Sequence, residues 1–135
     1  MAKNLQWIEV VGELIKLTLK NQLVWKVGEP LRSIGKESDE RIESVFYTTY
    51  QGKKLRLYKR IYKAYRHRDE VTYAPIYEPF LVSEVVLEIV DDNGLTLWRF
   101  PTLDITLDLL SSVQYRVSGA QELLEHVLKR KMSQV

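Results

Sequence analysis

Few residues in this chain are of a kind that performs chemistry, and their spacing decides what each is for. There are two histidines and no cysteine. Disulfides, zinc–thiolate centres, iron–sulfur clusters and thiol nucleophiles are therefore excluded. His67 stands in a run of cations. A lone imidazole there can ligate a haem iron or sense pH, and otherwise reads as an exposed strand end. His126 lies between Glu122 and Arg130 on the polar face of a helix and reads as solvated. Asp104 and Asp108, four residues apart, have the spacing of paired carboxylates. They sit where a helix begins, and acids there cap the first turn and complement its dipole. Asp91-Asp92-Asn93 is rich in oxygen but lacks calcium-loop spacing, and the Asn93-Gly94 pair following it marks a tight hairpin. The closest of the six glycines are seven residues apart, so the phosphate-cradling glycine loops are missing. No nucleophile elbow or paired-histidine zinc motif is present. The expectation is a protein that is not an enzyme.

Two segments carry a recognition signal instead. Between Lys53 and Arg68 there are eight basic residues and no acid, which leaves 12 basic and 18 acidic residues elsewhere, a net charge of −6. Within that run Tyr58, Tyr62 and Tyr65 alternate with Lys53, Lys54, Arg56, Lys59, Arg60, Lys63 and Arg66. Cations for phosphate and aromatic faces for stacking are what single-stranded nucleic acid requires. The same composition also suits a solvated strand whose cations guard it against aggregation, and the acidic remainder repels nucleic acid at long range. Tyr73, Ile76, Tyr77 and Phe80, with Pro75 and Pro79 between them, form an apolar aromatic stretch suited to a protein partner.

These segments need elements to hold them. Trp7, Val11, Leu14, Ile15 and Thr18 recur at helical spacing, with Asn4 expected as the N-cap and Asn21 as the stop. Leu23 to Val27 reads as a short extended piece. Leu31 to Arg41 has no periodicity and reads as a loop. Strands are expected over Ser44–Tyr50, Leu55–Arg66, Leu81–Val90 and Leu95–Phe100. Turns are expected at Gln51-Gly52-Lys53 and Asn93-Gly94, with a long connection from Arg68 to Phe80. Neither face of the second strand is cleanly apolar, so a bulge or a largely solvated strand is expected there. Glu84 and Glu88 are expected to pair across strands with Arg60 or Lys63. A helix from about Asp104 to Ser118 carries Leu109, Leu110, Val113 and Val117. Ser118 and Gln121 have capping-box spacing, and the last helix carries Ala120, Leu123, Leu124, Val127 and Leu128 on one face.

The 135 residues, 45% hydrophobic and 28% charged, suit one domain with one core. The expectation is a single α+β domain over residues 1–135: a four-stranded antiparallel meander packed by one N-terminal and two C-terminal helices. No apolar run approaches a membrane span and the N-terminus lacks a signal-peptide layout, so a cytoplasmic protein without membrane contact is expected.

Three runs, Gly52-Lys53-Lys54-Leu55-Arg56-Leu57-Tyr58, Leu87-Glu88-Ile89-Val90-Asp91-Asp92-Asn93-Gly94 and Leu97-Trp98-Arg99-Phe100-Pro101, resemble a family of small uncharacterised cyanobacterial proteins. The resemblance covers most of the chain. Some members carry a heterocyst-differentiation label, and a haem-binding label is also associated with the family. The resemblance implies a regulatory setting, with haem as an alternative ligand and His67 as its ligating residue. Its motifs are turns and strand ends, so no catalytic residue carries over. The functional expectation is a regulatory or protein-interaction module that self-associates, as a homodimer or higher oligomer, through an open sheet face or the aromatic stretch. Haem binding and single-stranded nucleic-acid binding are the alternatives.

Overall fold

A computed structural model describes residues 2–29, 40–67 and 77–133, without the side chains of residues 2, 3, 66, 67 and 77. The first helix, α1, spans Ala2–Leu19. Asn4 lies inside it, so the expected N-cap is one turn too late. Its end is as expected: Asn21 takes φ +60°, and the amides of Gln22 and Leu23 both donate to the Leu17 carbonyl. The exit is tied back by side chains. Trp25 Nε1 donates to Thr18 Oγ1 at 3.0 Å, and that hydroxyl donates to the Leu14 carbonyl at 2.7 Å.

The sheet has five strands where four were expected: β1 (Lys26–Val27), β2 (Arg41–Tyr50), β3 (Lys53–His67), β4 (Tyr77–Val90) and β5 (Thr96–Arg99). Their spatial order is their chain order, and every neighbouring pair is antiparallel. The extra strand is the short extended piece after α1, which pairs Lys26 with Tyr47 and Val27 with Phe46. β4 begins at Tyr77, so Tyr77 and Phe80 belong to a strand and not to the connection; Tyr73 and Ile76 lie outside the described residues.

Turn chemistry fixes two of the registers. Gln51 and Gly52, at φ +51° and +76°, form the two-residue hairpin turn between β2 and β3. At the β4–β5 turn only Gly94 has positive φ, at +85°. The expected Asn-Gly turn is therefore replaced by a longer one. Asp91 Oδ1 accepts from the amides of Asn93 and Leu95 at 2.9 and 2.8 Å, and Gly94 takes the left-handed position.

A bulge sits in β2 and not in β3. Glu43 is opposite Lys59 and Phe46 opposite Leu57, so β2 uses one extra residue there, with Ser44 at φ +53°. In an unbulged strand Ile42 would face away from Val45 and Tyr47. The bulge brings all three to one face, where Ile42 and Tyr47 pack against a small cluster of Val45, Tyr58 and Val86.

The opposite face carries the main core. Leu55, Leu57 and Leu87 pack with Val11 and Leu14 of α1 and with Leu109, Leu110 and Val113 of α2 (Ile105–Val117). Trp7, Trp98 and Phe100 stack at its edge, with centroids 4.7–5.1 Å apart. Asp104 precedes α2 but makes no side-chain capping bond. The third helix, α3, spans Ala120–Ser133 after a turn at Gly119, φ +76°. The expected capping box is not formed. Gln121 instead accepts from the Tyr115 hydroxyl and donates to Glu125 at 2.7 Å, while Ser118 Oγ receives only the Ala120 amide at 3.3 Å. Among the described residues no helix is long and apolar enough to cross a membrane.

Candidate interaction site

The basic strand is the first place to look, and the β3–β4 register sorts it. Arg60 is opposite Glu84 and Arg56 opposite Glu88. Arg60 Nε lies 3.2 Å from both Glu40 and Glu84, and its guanidinium stacks 4.3 Å over the Tyr62 ring. The expected Arg60–Glu84 pair is thus present. Glu88 goes to neither Arg60 nor Lys63: four residues further along antiparallel strands, it meets Arg56.

That second pair is buried. The Glu88 side chain is 0% exposed and Arg56 is 4% exposed. Arg56 Nε donates to Glu88 Oε1 at 2.7 Å, and its two terminal nitrogens reach the Gly94 carbonyl and Thr96 Oγ1 at 2.9 and 3.0 Å. Thr96 donates to Glu88 Oε2 at 3.1 Å, and Arg99 Nε lies 3.5 Å from the same oxygen. Burial works against the Arg56 charge, but the Tyr47 hydroxyl across the strand and the Glu88 carboxylate outweigh it, so its pKa rises. Tyr58, also on this face, is 1% exposed. Burial first, and the Glu88 charge second, push its phenol above the ordinary range.

These positions correct the picture of an open basic platform. Arg56 is neutralised inside an ion cluster, and Tyr58 offers no face for stacking. Tyr62 is half-buried beneath Arg60. Tyr65 is exposed but has the opposite strand parity, so the three tyrosines do not line one surface. Lys53 is exposed at the turn, Lys54 lies 5.1 Å over the Tyr47 ring, and Lys63 is exposed on the long β3–β4 ribbon. Lys59 faces the helices and lines an open cleft of about 400 Å³ with Ser83, Val85, Leu103, Asp104 and Leu107. The side chains of Arg66, His67 and Tyr77 lie outside the described residues. Phe80 is opposite Ala64 on the ribbon and is partly exposed. Among the described residues no three His, Asp or Glu side chains gather in a way that could hold a metal ion.

The unexpected feature is α3. It was expected to pack the sheet with the other two helices, yet none of its residues is buried. Leu123, Leu124, Val127, Leu128 and Met132 are each between 49% and 76% exposed. The physical reason lies in the sheet: α1 and α2 already cover its core face, and among the described elements α3 lies mainly against α2. Gly119 turns the chain so that α3 leaves the body, held at its base by the Tyr115–Gln121 bond. A 14-residue helix is marginal alone in water, so most of its stability must come from packing. Its periodicity was legible in the sequence; its lack of a covering surface was not. No protein-family model, curated protein or solved structure matches this chain.

Proposed function

We propose that this protein is a non-catalytic interaction module of the cytoplasm that contacts another polypeptide through the apolar face of α3. The observation that carries this reading is a row of five large apolar side chains on a helix with no buried residue. Scattered surface leucines are ordinary, but a contiguous stripe marks a contact surface. The ion-laced face of the sheet is a weaker candidate, because its charges are already satisfied within the chain. The resemblance to the cyanobacterial family supports a regulatory setting for this contact, including cell differentiation. The test is a photo-crosslinking amino acid placed at Val127 and, as control, at Gln51 on the exposed β2–β3 turn, in extract of the source cells. The expected result is a discrete adduct to a polypeptide, whether another protein or this chain itself, from position 127 only. Equal yield from both positions would overturn the proposal.

A further inference from the structure

We infer that the α3 face is occupied by the α3 of a second copy of this chain, running antiparallel. This rests on the reading of α3 as the contact surface and names its partner.

Position along the helix carries the argument. At about 100° per residue, Ala120, Leu124, Val127 and Lys131 form the centre line of the apolar stripe, with Leu123 and Leu128 on its flanks. Three of these four centre positions suit a helix–helix seam. The fourth, Lys131, puts an ammonium in the middle of it. In a parallel pair the two Lys131 side chains would meet in the seam, with like charges in contact. An antiparallel pair places Leu124 against Val127, Leu123 against Leu128, and Lys131 against Ala120 of the other copy. The small alanine leaves room for the lysine stem, and the ammonium passes the first turn of the other copy into water. A single polar residue in a seam sets orientation and register in this way.

Charge distribution along the axis agrees. The acids of α3, Glu122 and Glu125, lie in its N-terminal half, and Lys129, Arg130 and Lys131 lie in its C-terminal half. Antiparallel pairing sets each acidic half beside a basic half and opposes the two helix dipoles. It is also closed: the same patch meets itself about a two-fold axis, which ends assembly at two copies. Anionic lipid fits less well, because the acids would face the headgroups. Fourteen residues span about 21 Å, less than a standard interface of about 800 Å² per partner needs. The dimer is therefore reversible, with a dissociation constant of about 1–100 μM.

Sedimentation equilibrium on the full chain, from low micromolar to millimolar concentration, should show a mass rising from 15.9 kDa toward twice that value. Val127→Glu should weaken association by about a hundredfold or more, since it buries an unpaired charge, while leaving the circular dichroism of the monomer unchanged. The chain has no cysteine, which allows a direct test of orientation. Ala120→Cys mixed with Lys131→Cys should form a disulfide-linked dimer on mild oxidation, and neither alone should. Crosslinking within each single variant, with no mixed adduct of the two variants, would overturn the antiparallel arrangement. A mass of one chain at every concentration would overturn self-pairing, and the Val127 photo-crosslink would then still decide whether α3 binds a different polypeptide. A dimer indifferent to Val127→Glu would overturn self-pairing through α3, and the Val127 photo-crosslink would again decide whether α3 binds a different polypeptide.

Discussion

Replacing Glu88 with glutamine tests whether the sheet face away from the helices is closed by a dry ion cluster. Glu88 is fully buried and meets Arg56 at 2.6–2.7 Å, with Thr96 and Arg99 on its second oxygen. Arg56 cannot shed its proton to escape an unpaired state. Breaking a buried pair on one side costs about 3–5 kcal/mol, a large share of the roughly 5–15 kcal/mol by which a domain is stable. At a urea m-value of about 2 kcal/mol/M, the midpoint should fall by roughly 2 M. Fluorescence of Trp7, Trp25 and Trp98 gives the readout. The double variant Arg56→Met with Glu88→Leu removes both charges and both desolvation penalties, so it should recover to within about 1 kcal/mol of the parent or exceed it. Salt at about 0.5 M should hardly change the cost of Glu88→Gln, because screening acts mainly on exposed pairs. A loss below about 1 kcal/mol for Glu88→Gln at unchanged m-value would refute the argument, since a hydrated pair costs little to break. A double variant as unstable as the single would show that shape, not charge, is what the site requires.

Two further outcomes follow from close packing and burial on the same sheet. A Cβ built on Gly28 would lie 2.2 Å from the Tyr47 ring, which is itself held between Lys54 and the Val45 cluster, so Gly28→Ala should cost about 1–3 kcal/mol in thermal or urea unfolding. The Tyr58 phenol holds its proton more tightly when folded than when unfolded, so the folded chain binds more protons once the pH passes the unfolded phenol value of about 10. Stability should be complete below that pH and fall as it rises through the folded value, and Tyr58→Phe should flatten the decline; an equal decline in both proteins would assign it to other groups.

The sequence was readable wherever a local rule decides the outcome. Asn21 stops α1 because asparagine tolerates the left-handed region, and Gln51-Gly52 turns the chain because both residues take positive φ. Val85, Leu87 and Ile89 of β4 face the core because strand parity puts alternate residues on one side. It was not readable where two distant segments must be aligned. β3 and β4 are joined by a long connection, so no turn signal fixes their register, and a four-residue difference decides whether Glu88 meets Arg60 or Arg56. The same uncertainty made β3 look like an open basic platform: composition counts Arg56 as a cation, and only the register shows that its charge is spent inside the protein. The mixed faces of β3 pointed to a bulge or a largely solvated strand there. The bulge formed in β2, where Ile42 had the wrong parity for the cluster it joins.

The proposal that α3 carries the contact surface rests on a comparison of the same kind. An open sheet face and an apolar helix compete as places for a partner, and each is judged by what is left unsatisfied when the chain is alone. On the sheet face Arg56, Arg60 and Arg99 have carboxylate partners within 3.5 Å, and Tyr58 is buried beneath them. A partner docking there would have to displace ion pairs that already exist, at a desolvation cost. On α3 the balance is reversed. Its backbone is satisfied by the helix, and five large side chains remain in water, each with about half or more of its surface still to be buried. Burying them is favourable in proportion to that area, and it also supplies the packing that a helix of this length lacks. Association and the ordering of α3 are then one process. The helix should be most protected from hydrogen exchange at concentrations where the chain is paired, whereas the sheet should be equally protected at all of them.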